Sequence, residues 1–386
     1  MRRMFPVVVC AAALFGAALI AQEQASVAAL YARPIEPPTS PLPAEDASAG
    51  VTKFSFFAYG DSRSGNVPGV PGDGMVLNVE HTRLMDFMLA KIENLATTPF
   101  PVRFVVQSGD GVLRGANRDQ WDVSFSPIIE RLTRRAGLPF FFAVGNHDVT
   151  GLPTVGDPGR EPGLRNALMA MSKLMPPEGS PRRLSGYPTY GFGYGNLFAI
   201  ALDSNIAADP VQLAWVTDQL QQLNRARYRH VIAFFHHPPF SSGPHGGPNI
   251  EPSTATLRDL YMPLFRRHHV RMIITGHEHL YEHWIERYVD KGASYRMDQL
   301  VSGGGGAPLY VYSSEPDLRA YRLQGTAERV ELEHVIKPGP TAADNPRHFV
   351  VIQVDGDRLS LEVVGSGVPY APYNGRSRID LTDRVS

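Results

Sequence analysis

The chain has 386 residues, of which 43% are apolar, 19% charged and 10% aromatic, and its formal net charge is -1. That composition supplies a sizeable core and excludes a disordered or fibrous chain, and the charge balance leaves no basic excess for binding a nucleic-acid backbone. One cysteine excludes a disulfide framework or a cysteine-based zinc finger, and 33 prolines with 36 glycines point to many loops between short elements.

The N-terminus reads as an address. Met1-Arg2-Arg3 gives a positive start, and Val7 to Ala21 is an unbroken run of apolar or small residues. The run has the length of a signal-peptide core and is short for a membrane span of about 20 residues. Residues 1–21 are therefore expected to be a cleaved export signal of a periplasmic or secreted protein, with an uncleaved membrane anchor as the alternative. Cleavage would remove Arg2, Arg3 and Cys10, moving the net charge from -1 to -3. Residues 22–50 carry Pro34, Pro37, Pro38, Pro41 and Pro43 among small and polar residues. They offer little to bury and read as a mobile, extended linker. Residues 51–386 are expected to form one domain.

Apolar runs then alternate with helical patterns. Phe54 to Tyr59 predicts a strand ending at Gly60-Asp61, and Asn78 to Ala96 a helix with Leu84, Phe87, Met88 and Ile92 at helical spacing. Arg103 to Gln107 predicts a strand ending at Gly109-Asp110, Trp121 to Arg135 a helix, and Phe140 to Val144 a strand ending at Gly145-Asn146-His147-Asp148. Gly151 to Tyr190 reads as a loop-dominated insertion. Leu197 to Leu202 predicts a strand ending at Asp203, Val211 to Leu223 a helix, and Val231 to Phe235 a strand ending at His236-His237. Leu257 to His268 predicts a helix and Val270 to Ile274 a strand ending at Gly276-His277-Glu278-His279. Pro308 to Pro346 reads as a second insertion, and Phe349–Val354 with Leu359–Val364 as a hairpin turning at Asp355-Gly356. The expected fold class is α/β.

The polar tips carry the chemistry, because ligands of α/β sheets collect at the carboxyl ends of strands. Asp61, Asp110, Asn146, His236, His277 and His279 all stand at such ends. Carboxylates, imidazoles and one amide, without a thiolate, suit manganese, iron or zinc. Six donors exceed one tetrahedral shell and suit two ions sharing a bridging carboxylate. Singly, each has a blander reading as a turn former, helix cap or loop histidine.

In order, Gly60-Asp61, Gly109-Asp110, Gly145-Asn146-His147-Asp148, His236 and Gly276-His277-Glu278-His279 resemble the calcineurin-like metallophosphoesterase superfamily. Asp203-Ser204-Asn205, Phe235 to Pro239 and Val301 to Gly306 resemble its purple-acid-phosphatase-like branch. The resemblance implies a two-layer sandwich of mixed sheets flanked by helices, with two divalent or trivalent metal ions (Mn, Fe or Zn). It implies that Asp61 and His279 hold the first ion, that Asp110 bridges, and that Asn146, His236 and His277 complete the second. His147 would act as general acid, Asp148 would orient it, and Arg63, Asn146 and His147 would meet the substrate. Two positions depart from the pattern. Arg63 stands where many members carry a histidine ligand, and a guanidinium cannot ligate a cation. Leu113 stands where purple acid phosphatases carry the tyrosine behind their colour. The first site is thus one protein ligand short. Arg114 loosely echoes a phosphate-binding arginine, and His237, His245 and His283 border the motifs.

The expected activity is hydrolysis of a small phosphate monoester by metal-activated water, with no nucleic-acid partner. A phosphodiesterase acting on nucleotides or phospholipid headgroups, and a metal-binding protein without turnover, are the alternatives.

Overall fold

The computed structural model describes residues 30–64, 77–150, 154–247 and 250–381. The expected export signal and residues 22–29 lie outside them. Among the described residues the strands are β1 (Lys53–Tyr59), β2 (Val102–Gln107), β3 (Phe140–Phe142), β4 (Tyr190–Tyr194), β5 (Leu197–Ala201), β6 (His230–Phe234) and β7 (Met272–Thr275). They continue with β8 (Tyr281–Asp290), β9 (Ala293–Ser302), β10 (Glu331–Ile336), β11 (His348–Asp355), β12 (Arg358–Gly365) and β13 (Arg378–Asp380). One sheet runs β13-β12-β11-β1-β2-β3 and the other β10-β8-β9-β7-β6-β5-β4. Both are mixed: β1, β2 and β3 are parallel to one another, as are β5, β6, β7 and β9, while the remaining pairings are antiparallel. The fold is the two-layer mixed-sheet sandwich flanked by helices that the sequence led us to expect. Among the described residues no helix is long and apolar enough to cross a membrane.

Of the parallel strands in the second sheet, β5 is apolar at every position and β6 and β7 at all but one, because both of their faces are covered. Leu197, Ala199, Ala201, Ile232, Phe234, Met272 and Ile274 point into the core between the sheets. Phe198, Ile200, Val231, Ala233 and Ile273 point the other way, into a second core beneath Pro210–Gln221 and Met262–Arg267. In the first sheet Val79–Ala96 buries Leu84, Met85 and Met88, and its Asn78 cap accepts from Glu80 N at 3.0 Å and His81 N at 3.3 Å.

Three departures from the expected elements have local causes. The helix near 121–135 is a run of pieces, Gln120–Phe125, Ser126–Glu130 and Arg131–Ala136, with wider turns on either side of Pro127, which has no N–H to give the regular ladder. The 151–190 stretch contains the helix Glu161–Ala170. The 308–346 stretch contains a short helix, Arg319–Gln324, and the edge strand β10.

The proline-rich stretch is not a mobile linker over residues 30–50. It is extended up to a short 3-10 turn at Glu45–Ser48, and docked. Ala32 and Ile35 are fully buried in the main core. Ala32 N donates to Asn166 Oδ1 at 3.0 Å, Ile35 N to Ala170 O at 2.9 Å, and Ser40 N to Gly137 O at 3.0 Å. Arg33 forms a two-pronged pair with Glu130, and Glu45 accepts from Arg182 Nε at 2.9 Å and Tyr228 OH at 2.7 Å. The prolines keep the strap straight, and between them Ile35 N and Thr39 N meet the helix carbonyls of Ala170 and Thr133, while Glu36 N meets the Glu130 carboxylate. Two small side chains were enough to bury, and composition alone hid them. Ile35→Ala should cost roughly 2–5 kcal/mol of stability, the range for a buried aliphatic truncation. Urea unfolding of the variant measures this, and an unchanged midpoint would free the strap from the fold.

Candidate metal centre

The carboxyl ends of β1, β2 and β3 meet those of β6 and β7 at the seam between the sheets. Asp61, Asp110, His236, His277 and His279 are all buried there. Three of them, Asp61 (φ 59°), Asp110 (φ 55°) and His277 (φ 68°), hold left-handed backbone that costs a non-glycine residue of order 1 kcal/mol or more. Strain shared by three residues of one cluster marks a constrained arrangement. The neighbouring glycines answer the same crowding. A Cβ on Gly145 would stand 2.2 Å from Asp110 Oδ1, and one on Gly276 would stand 2.2 Å from Asp61 Oδ2. The Gly-Asn-His and Gly-His signatures are therefore steric statements about carboxylates contributed by other strands.

Two groups of donors converge. In one, Asp61, Asp110 and His279 each offer a ligand atom, all within 4.8 Å of one another. In the other, His236 Nε2 lies 2.9 Å from Asn146 Oδ1, 3.1 Å from His277 Nδ1 and 3.4 Å from Asp110 Oδ1. Asp110 belongs to both. The structure thus brings together all six residues that the sequence singled out as ligands.

The hydrogens point outward. His236 Nδ1 donates to Ser108 O at 2.9 Å, and His279 Nδ1 donates to Pro308 O at 2.6 Å, so in each ring the nitrogen facing the cluster is a bare lone pair. Burial, then Asp110, pushes the Asp61 carboxyl well above its usual range. Burial, then neighbouring histidines, holds His236 and His277 well below theirs, and burial with Arg63 nearby lowers His279 to about 3. Lone pairs facing lone pairs, with the Asp61 carboxyl and the imidazoles pushed toward neutrality, make a set that lacks positive charge. A cation at each group satisfies it, so the residues present fit a pair of metal ions.

The other named residues divide. His147 keeps its side chain 31% exposed at the open side of the cluster, with Nε2 4.0 Å from Asp110 Oδ2. Its Nδ1 donates to Leu113 O at 2.9 Å, and its backbone N donates to Asp110 Oδ1 at 3.0 Å. Arg63 is nearly buried and sets Nε 3.2 Å from Asp110 Oδ2, as an ion-pair partner of the shared carboxylate. Asp148 does not orient His147. Its Oδ2 accepts from Asp110 N and Gly145 N, both at 2.8 Å, and its Oδ1 from Val112 N at 3.1 Å. Three residues into a one-turn helix, it is aimed back at the backbone of the two loops, and Leu113 O takes the imidazole instead.

Arg114 is exposed. His283 engages both nitrogens elsewhere, with Asp298 at 2.8 Å and Tyr373 OH at 3.0 Å. Ser204 of the Asp203-Ser204-Asn205 tip lies 2.8 Å from His237 Nδ1. His245 Nδ1 stands 3.4 Å from buried Glu278, and its ring is 4.6 Å from that of His277. The glycine run packs behind Asp61, with Gly305 N donating to Gly60 O at 2.9 Å and Ala307 N to Asp61 O at 2.8 Å, so it is a backbone seam and not a phosphate cradle. Sequence reasoning missed Tyr310, stacked on His279 with ring centroids 4.0 Å apart, and Glu251, which meets His277. Neither lies in a motif, and no local signal points to them.

The model of the family described as calcineurin-like phosphoesterase matches residues 83–281, which is more than half of the chain and takes in every expected ligand except Asp61. The Fe(3+)-Zn(2+) purple acid phosphatase 12 of Arabidopsis thaliana is 25% identical over 171 residues, 43% of this chain and 33% of the relative. The match thus spans about a third of that curated relative's length. The purple acid phosphatase PPD1 from yellow lupin (Lupinus luteus) seeds superposes with a TM-score of 0.57 at 16% identity, covering 83% of this chain and 52% of that one. At that identity the likeness concerns the fold.

Asp148 yields the prediction specific to this geometry. Asp148→Ala orphans three buried N–H groups and should destabilise the protein by at least about 3 kcal/mol. Calorimetry of the metal-free protein is the measurement. Unchanged stability with selective loss of catalysis would return Asp148 to the role of partner to His147.

Proposed function

Because the chain belongs to the calcineurin-like phosphoesterase family, we propose that it is an exported hydrolase of phosphate monoesters that works with two metal ions. The observation that carries the reading is the Asp110 carboxylate, shared by both groups of donors. Asp61 and His279 would hold one cation with Asp110, and Asn146, His236 and His277 the other. Bound cations supply an acidified water and positive charge for the phosphoryl oxygens. The donor set fits iron, zinc or manganese, and the Arabidopsis relative is named for an Fe(3+)-Zn(2+) pair. The same name, a phosphatase, favours monoesters over diesters.

The chain's own residues do the rest. The neutral imidazoles leave the cluster's charge to the carboxylates. Arg63 offsets one negative charge on Asp110 and offers its guanidinium to a phosphoryl oxygen. Asn146 presents its amide at the same mouth. His147, with Nδ1 donating to Leu113 O, would carry a transferable proton at Nε2, on the open side, as the imidazolium. There it protonates the departing alkoxide. Hydrolysis by this route needs no serine or cysteine nucleophile, and no phosphoenzyme is expected.

The test is a panel of monoesters and diesters on the metal-reconstituted mature protein, with cations quantified in the same sample. Asp110→Ala should lose cations at both sites. His147→Ala should keep them and lose about 10²- to 10⁴-fold in kcat/KM, most for alkyl phosphates and least for nitrophenyl phosphate, whose leaving group barely needs a proton. A loss uniform across leaving groups refutes the acid role, and a diester-only profile replaces the monoester reading. Export is tested separately. Protein recovered outside the cytoplasm should have its N-terminus after Ala21, and an intact Met1 would speak for an anchor or retention.

A further inference from the structure

Glu251 enters the centre from outside every motif. It is the residue before the helix Pro252–Thr256, on the loop that follows His236. Its Oε2 lies 3.0 Å from His277 Nε2 and 3.8 Å from His237 Nε2. A carboxylate can only accept, so the contact places the His277 hydrogen on Nε2. The opposite nitrogen, Nδ1, is then the bare one, and it is Nδ1 that faces His236 Nε2 at 3.1 Å. His236 shows the same device, with Ser108 O on its outer nitrogen at 2.9 Å. His279 repeats it with Pro308 O. Three imidazoles each carry an acceptor behind them and a lone pair in front. For two the acceptor is a backbone carbonyl; for His277 it is a side chain that can be removed.

We propose that Glu251 is a positioning residue for the second cation site: it fixes the tautomer and ring plane of His277 so that Nδ1 is the ligand atom. The inference rests on the reading of Asp110, Asn146, His236 and His277 as a cation site. Glu251 itself is not a ligand of that site, because it meets the His277 ring at Nε2, opposite the Nδ1 that faces His236. A carboxylate behind a ligating histidine raises the basicity of the ring and holds its orientation, and removing such a partner typically costs about 10- to 100-fold in metal affinity. His237 is a bystander. Its Nδ1 is matched to Ser204 Oγ at 2.8 Å, and its other nitrogen is too far from Glu251 for a hydrogen bond.

The experiment is zinc titration of the full chain after metal stripping, against a competing chelator, with bound zinc counted at each step. Melting of the metal-free forms verifies that each variant is folded. The native chain should bind two ions. Glu251→Ala should weaken one of them by about 10- to 100-fold and leave the other unchanged. Glu251→Gln, whose amide oxygen accepts the same hydrogen, should stay within a few-fold of native, while Glu251→Leu, which fills similar space but cannot accept, should lose as much as Glu251→Ala. His237→Ala should leave both affinities in place. Native-like binding by Glu251→Ala beside a native chain that holds two ions overturns this inference alone. A native chain that holds none overturns the functional reading and this inference with it. Equal losses in Glu251→Ala and His237→Ala also overturn it, since Glu251, His237 and His277 would then act as a separate ligand group.

Discussion

Everything at the seam is arranged around one carboxylate that cannot be left alone. Asp110 is buried, carries a left-handed backbone, and receives the backbone N–H of His147 on one oxygen and the Arg63 guanidinium on the other. Its own N–H is held by Asp148. A buried charge is tolerated only with partners on every side; here they come from the ends of β1 and β3 in one sheet, with His236 from the end of β6 in the other 3.4 Å away. Position one residue fixes position the others. Gly145 must lack a Cβ because Asp110 Oδ1 occupies that space, and Asp148 must accept three N–H groups because the loops it joins approach so closely.

That tightness explains which features were legible in the sequence. The six donors were readable because each follows a continuous apolar strand and because close backbone approach writes glycine beside it. The paired cores account for those strands, since β5, β6 and β7 send alternate apolar residues to opposite faces, with only His230 and Thr275 polar among them. Fold class and ligand set follow from the same physics. The long hairpin β8–β9 was not read, because its apolar residues are interleaved with charges such as Glu286, Arg296 and Asp298 that find buried partners only in three dimensions; the helix Glu161–Ala170 was hidden by the Pro162-Gly163 pair in its first turn.

The misreadings share a cause. Asp148 was assigned to His147 by resemblance, yet successive residues of a helical turn point in different directions. The proline-rich stretch was judged by composition, which averages over the two positions, Ala32 and Ile35, that are buried. Glu251 and Tyr310 illustrate the converse. A residue that touches a ligand from behind needs only one contact, and a single contact leaves no spacing pattern.

The strap has a mechanical meaning as well. Its first part is pinned to helices that cover the first sheet, at Glu130, Thr133 and Gly137, while Glu45 grips Arg182 and Tyr228 beside the second. Residues 30–50 therefore act as an external brace across two layers whose facing ends hold the donors. A shear of one sheet over the other by a single ångström would pull His236 and His277 away from Asp110 and Asn146. The brace opposes that sliding from the outer wall of the molecule, so the alignment of a buried charge cluster is guarded in part by a segment that contributes no donor to it.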